Sequence, residues 1–261
     1  MSFLEHVDEL RARFLRIAGA VMVISLFSFL FGIRTFQFGD FSIPLPYPDP
    51  LDNIAALVIK RIQNDMLPEN VKLIVTSPGQ AIISQFYVAL FLGIVFGMPM
   101  IVYQIAAFVG PGLHPHEKRS VRKIILPSII LFVVGWVFTY IFITPLAFQF
   151  LYAYGFVLRA TTFISIDDLI QFVLFFSLGG GLSFELPVIM WIVTEAELVD
   201  AHFWRRYMNY AIVAIVIFGA VVTPDGSGIT MWLISLPMIA LYIVTYLILR
   251  RRSHHVRSGK P

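Results

Sequence analysis

Six stretches of this chain contain no Asp, Glu, Lys or Arg at all: 17–33, 73–116, 124–158, 169–184, 207–224 and 226–249. Crossing ~30 Å of hydrocarbon takes roughly 20 apolar residues of helix. Hydrocarbon supplies no hydrogen-bond partner to an open strand or loop, so these runs must satisfy their own backbones as helices. Composition points the same way. The chain is 58% hydrophobic and 13% charged, where soluble domains run near half and about a quarter. A chain of 261 residues cannot hide that much apolar surface inside a water-soluble core.

The pattern predicts an all-α membrane protein folded as one domain over residues 1–261. Its six spans fall at about 15–35, 79–109, 121–154, 165–194, 205–223 and 228–249. The third run is too short for a helical hairpin and reads as one long tilted helix. Segment 36–76 is the longest extramembrane stretch and predicts an outer cap. It opens with Pro44, Pro46, Pro48 and Pro50, followed by an amphipathic helix with Ile54, Leu57, Val58, Arg61 and Ile62 at helical spacing. Residues 250–261 read as a basic, disordered tail containing His254 and His255. Pro99, Pro127, Pro145, Pro187 and Pro237 interrupt the spans; each removes a backbone donor and tends to kink its helix, which predicts a curved, cup-like bundle. Gly179, Gly180 and Gly181 predict close helix approach in span four.

Lysine and arginine set the orientation. With both termini on one side, that side carries 14 of the 19 basic residues and the other carries 5. Both termini are therefore expected in the cytoplasm, in a multi-pass protein of the cell membrane. The absence of cysteine excludes disulfide and thiolate chemistry. The first apolar run is too long for a signal-peptide core, and Glu5, Asp8 and Glu9 precede it. No HExxH, G-x-S-x-G or Walker sequence is present, so an enzyme is not expected. His114, His116 and Glu117 form a poor metal set, with Pro115 between the histidines and no fourth ligand. No metal, cofactor or nucleic-acid partner is expected.

A few charged residues require a reason. Glu185 sits in an otherwise apolar stretch, roughly 13 Å from the cytoplasmic end of span four at ~1.5 Å per residue. A carboxylate at that depth costs roughly 2.5–3.5 kcal/mol, so it is expected to be protonated or paired with a polar group on another helix. Asp225, after Pro224 and before Gly226, reads as turn chemistry and a cap for span six. Ahead of span one, Glu9 and Arg13 form an i,i+4 pair on a helix whose apolar stripe is Val7, Leu10, Phe14 and Ile17.

Four blocks in order resemble the TatC family, the core membrane subunit of the twin-arginine protein translocase. They are His6-Val7-Asp8-Glu9-Leu10-Arg11-Ala12-Arg13; Ser77-Pro78 through Pro99, Tyr103-Gln104, Phe108 and Gly110-Pro111-Gly112-Leu113 to His116-Glu117-Lys118-Arg119; Phe184-Glu185-Leu186-Pro187; and Thr223-Pro224-Asp225 with Leu236-Pro237-Met238. The sequence departs at Gln80 and Ile243, where relatives often carry Glu, at Ala106 for a common Trp, and at Ile229 for a frequent Gln. The resemblance implies a receptor for signal peptides bearing two adjacent arginines. It further implies export of folded proteins with TatA- and TatB-type single-span partners, other TatC copies and the proton-motive force. Glu9 and Glu117 would hold the two guanidinium groups, which suit bidentate pairing with carboxylates. Arg11, Arg13, Lys118 and Arg119 would orient those acids, and Phe108 and Leu113 would border the groove for the peptide's apolar stretch. Glu185 would meet a polar group of a partner helix, and Asp225 and Pro224 would form the outer turn or a partner contact.

Two rival readings remain open at this level. A proton-coupled transporter or channel using Glu185 explains the buried acid but not the cytoplasmic acids, and no internal repeat supports it. An intramembrane enzyme built on Ser183 and Glu185 lacks any histidine within a span to act as base. The topology is testable because the chain has no native cysteine. Ser120→Cys and Ser253→Cys should react with a membrane-impermeant maleimide only from the cytoplasmic side, and Lys60→Cys only from the opposite side. Labelling of all three from one face rules the six-span arrangement out.

Overall fold

The computed structural model describes residues 3–38, 41–68, 71–109, 115–157, 163–196, 198–223 and 225–258. Helices dominate it. In chain order they are α1 (Phe3–Leu30), α2 (Ile54–Met66), α3 (Gln80–Val109), α4 (Pro115–Phe138), α5 (Thr144–Val157), α6 (Ile166–Ser183), α7 (Leu186–Glu195), α8 (Ala201–Arg206), α9 (Met208–Val222) and α10 (Gly228–Ser258). Four strands accompany them: β1 (Phe31–Phe38), β2 (Phe41–Pro48), β3 (Lys72–Ile74) and β4 (Phe163–Ser165). Five helical stretches are long and apolar enough to cross a membrane, namely Glu5–Leu30, Gln80–Phe108, Ile124–Gly155, Ile166–Glu195 and Gly228–Arg252, and Met208–Val222 is a shorter sixth. The protein is a multi-pass membrane protein.

α4 and α5 form one traversal joined by a π-helical segment, Thr139–Ile143. Pro145 has no N–H, so an ordinary turn there would leave a carbonyl unpaired. The wider turn rearranges the ladder: the backbone N–H of Thr144 and its hydroxyl, at 2.9 Å, both donate to the carbonyl of Thr139. The strand pairing fits a single crossing. β3 pairs in parallel with β4, Lys72 opposite Phe163. The entrance to α3 and the exit from α5 therefore lie together, which a hairpin within 115–157 would prevent.

The chain forms two compact units. One comprises Met1–Gln104 with Phe148–Leu174; the other comprises Ile105–Ala147 with Phe175–Pro261. In the first, α1 and α3 meet at Gly93 and Gly97, a G-x-x-x-G pair. A Cβ on Gly93 would stand 2.1 Å from Ser25 Oγ and 2.7 Å from the carbonyl of Val21. With so little dispersion to gain from lipid exclusion, small residues at such crossings are what let backbones approach. α2 buries Ala55, Ala56, Ile59 and Ile62. Asn53 caps it, accepting from the N–H of Ala56 at 2.8 Å and donating to Gln85 Oε1 at 2.8 Å. In the second unit, α10 packs on α7, α8 and α9 around buried Met190, Ile215, Met238, Tyr242 and Tyr246. Tyr242 donates to the carbonyl of Trp204 at 2.6 Å, and Trp204 Nε1 donates to Thr194 Oγ1 at 2.8 Å. Gly180 abuts Thr139, whose Oγ1 would lie 1.8 Å from an added Cβ.

Several expectations need correction. Span one ends at Leu30, not 35, because β1 begins at Phe31 and pairs antiparallel with β2. Two small two-stranded sheets accompany the otherwise helical fold. The Pro-rich stretch lies in strand β2. Pro44, Pro46 and Pro48 lie opposite Thr35, Ile33 and Phe31, and their spacing of two puts every missing N–H on the side away from β1. Arg34 Nη2 clasps Asp49 Oδ2 at 2.9 Å where the hairpin closes. The amide of Asp52 foremost, then that guanidinium, hold Asp49 below the ordinary carboxylate range. Span five is split at Tyr207 between α8 and a 15-residue α9. The tail is not disordered through 258: α10 continues to Ser258, since no Gly or Pro occurs between Pro237 and Gly259. Gly93→Ala and Gly180→Ala should each destabilise by about 1–3 kcal/mol through overpacking. Gly79→Ala, with nothing within 4 Å of its added carbon, should leave the thermal midpoint in detergent unchanged.

Candidate functional site

Glu9 and Arg13 stand one helical turn apart on α1, the spacing at which side chains of opposite charge meet. Arg13 Nε donates to Glu9 Oε1 at 2.9 Å, and Nη2 reaches the same oxygen. The third arm of the guanidinium, Nη1, donates at 3.1 Å to Oε1 of Gln104, a buried residue near the end of α3. Only about a fifth of each of the Glu9 and Arg13 side chains is exposed. The second carboxylate oxygen, Glu9 Oε2, is buried and has no hydrogen-bond partner among the described residues. Arg13 therefore fixes Glu9 through one oxygen and leaves a buried acceptor of unsatisfied capacity on the other, an arrangement suited to a further cationic donor.

The remaining residues expected around this centre are distributed as follows. Arg11 is exposed on α1, and Phe108 is half-buried in the last turn of α3. Glu117, Lys118 and Arg119 occupy the first turns of α4, with their side chains outside the described residues. Leu113 and Pro224 lie outside the described residues, as does His114. The structure thus brings Glu9, Arg13 and Gln104 together; Glu117 belongs to the second compact unit.

Glu185 sits where α6 gives way to α7. The ladder breaks at Phe184 and Glu185, Pro187 occupies the start of α7, and the amide of Glu185 bonds to the carbonyl of Leu182 at 3.1 Å. The side chain is not solvated within an open helix end. Ser128 Oγ, on α4, donates to Glu185 Oε2 at 2.5 Å, while Glu185 Oε1 is buried without a partner among the described residues. Asp225 makes the turn between α9 and α10: its Oδ1 accepts from Thr230 Oγ1 at 2.6 Å and its Oδ2 from the amide of Ser227 at 3.3 Å. Gln80, at a position where relatives often carry Glu, accepts from the amide of Thr76 at 2.7 Å and its hydroxyl at 3.1 Å. A neutral amide carbonyl does this work as an acid would.

Sequence reasoning gave no role to Gln104 or Ser128. Gln104 is one of few strongly polar side chains in the run 73–116, a usable signal. Ser128 carried none, because a lone hydroxyl in an apolar helix ordinarily back-bonds to its own turn, as Ser25, Ser28 and Thr245 do here.

Comparison with known proteins agrees with this architecture. Residues 5–237 match the family described as TatC, Sec-independent protein translocase protein. A Sec-independent protein translocase protein TatC of Cenarchaeum symbiosum is 40% identical over 99% of this chain and 98% of its own length. That of Aquifex aeolicus is 31% identical over 94% of this chain and 93% of its own length. A crystal structure of the twin-arginine translocase receptor TatC superposes with a TM-score of 0.78 at 28% identity, covering 95% of this chain and 99% of that one. With the family matched over residues 5–237 and relatives covered over nearly their whole length, the chain belongs to the TatC family of Sec-independent protein translocase proteins.

Proposed function

We propose that this chain binds twin-arginine signal peptides at the cytoplasmic face of the cell membrane and, with TatA- and TatB-type single-span partners and other copies of itself, exports folded proteins. The proton-motive force supplies the energy. Glu9 and Glu117 take the two guanidinium groups. Phe108 and Leu113 border the apolar part of the peptide, while Arg11, Lys118 and Arg119 select against basic peptides of other geometry. Both termini and the loop before α4 face the cytoplasm, and segment 36–76 caps the opposite face.

The observation that carries this reading is the state of the Glu9 carboxylate. One oxygen is saturated by Arg13 and the other is buried and unsatisfied. A buried acceptor without a donor forfeits about 1–3 kcal/mol, which an incoming guanidinium restores. In this family setting Glu185 is the contact for a polar group on a partner's transmembrane helix, through its unpaired Oε1.

The test is photo-crosslinking of a labelled twin-arginine peptide to the full chain in vesicles. Glu9→Ala or Glu117→Ala should weaken capture by up to about tenfold, the effect of ~1.4 kcal/mol, with the helical content unchanged. Undiminished crosslinking in both variants defeats the proposal. Glu185→Ala should spare peptide capture and impair transport, and full transport activity there would leave the Ser128 bond as a purely structural link. Ser128→Ala should lower the thermal midpoint more in the native background than in Glu185→Leu, since the two losses share one bond.

A further inference from the structure

Within the second compact unit, α4, α7 and α10 leave a cavity of about 370 Å³. Its walls include Pro127 and Leu131 of α4, Pro187 and Trp191 of α7, and Ile248 and Arg252 of α10. Two prolines from neighbouring helices explain the gap, because their rings project little and each loosens the turn around it. The lining is apolar except at one end. There the Arg252 guanidinium lies 5.6 Å from the centre of the Trp191 ring. Trp191 Nε1 donates to Glu195 Oε2 at 3.4 Å, and Arg252 Nη1 lies 3.4 Å from the same oxygen. Ile248 and Trp191 are exposed at 61% and 39%, so the cavity is open to the surrounding hydrocarbon.

Position along α10 decides what fills it. Arg250, Arg251 and Arg252 directly follow the uncharged run 226–249, which places them at the membrane boundary. An arginine stacked on an interfacial tryptophan presents donors at headgroup depth above an apolar slot. Arg252 lines the groove, and Arg250 and Arg251, next to it in sequence, add positive charge at the same membrane boundary. A transmembrane helix would have no use for such an end, whereas a lipid phosphate matches it.

We propose that this groove is a binding site for one anionic phospholipid, with an acyl chain along Pro127, Pro187 and Ile248 and the phosphate on Arg252. The guanidinium has five donors, so the contact to Glu195 leaves several for the phosphate. The site is independent of signal-peptide binding and of the Glu9 centre.

Trp191 is the reporter. The full chain is reconstituted in phosphatidylcholine vesicles doped with phosphatidylglycerol or phosphatidylcholine brominated in the acyl chain. The contribution of Trp191 is the difference between the native chain and Trp191→Phe. Brominated phosphatidylglycerol should quench Trp191 at about one-fifth the mole fraction that brominated phosphatidylcholine requires, the preference one interfacial arginine confers. Arg252→Gln should abolish that preference, Arg252→Lys should retain most of it, and Glu195→Gln should retain or strengthen it. Equal quenching by the two lipids overturns the proposal, as does a preference that survives Arg252→Gln. Shielding of Trp191 from both lipids means that protein fills the groove, and also overturns it.

Discussion

Hydrocarbon tolerates no backbone N–H or C=O without a partner, and the irregular features of this protein are each a way of meeting that demand. Where Pro145 removes a donor, the chain widens into a π turn and Thr144 supplies two donors to the carbonyl of Thr139. Where α6 stops, the amides of Phe184 and Glu185 still find the carbonyls of Gly181 and Leu182, and Pro187 enters in the first turn of α7, where N–H groups lack an intrahelical partner anyway. Several hydroxyls inside the spans return to their own turns, as at Ser183 to Gly179 and Thr194 to Met190. The breaks are therefore not weak points. They redirect the chain while keeping the ladder closed, and they set the positions from which Ser128 and Glu185 meet.

The same constraint accounts for what the sequence made legible. The spans could be read because charge is excluded from them. Glu185 stood out because its charge is an exception to that exclusion. The i,i+4 pairing of Glu9 with Arg13 follows from helical geometry alone. What escaped was decided by contacts between distant segments. Residues 31–38 are apolar enough to continue α1, and only pairing with 41–48 turns them into a strand. Proline at 44, 46 and 48 argues locally for a loop, yet its period of two matches the pleat. The parallel pairing of β3 with β4 joins residues some ninety positions apart, and no local pattern announces it. Likewise Ser128 becomes informative only once α4 lies against α7.

The two acids differ in how their environments use them. Glu9 is held at the head of α1 by a permanent cation, which orients it, and Gln104 absorbs the remaining arm of that cation. Removing Gln104 would free an arm of Arg13 without touching Glu9, so the position of the acid is supported from a second helix within the same compact unit. Glu185 has no cation among its hydrogen-bond partners in the described residues; a serine hydroxyl alone holds it. Its surroundings thus suit a neutral polar contact, whereas Glu9 keeps Arg13 on one oxygen and leaves the other for a further cationic donor.

The groove between α4, α7 and α10 ties the intramembrane acid to the lipid boundary. Pro127 precedes Ser128 directly, and Pro187 follows Glu185 by two residues. The ring that shapes the groove and the side chain that makes the hydrogen bond are therefore carried by the same turn on each helix. Closing the groove would press α4 and α7 together along the line on which Ser128 approaches Glu185; filling it with a chain fixes their separation. Because packed membrane helices gain little from expelling lipid, an occupied groove holds that spacing at small energetic cost, and an empty one leaves its lining without contacts on one side. A chain in the groove, where the proposed lipid lies, would thus bear on the spacing at which Ser128 meets Glu185.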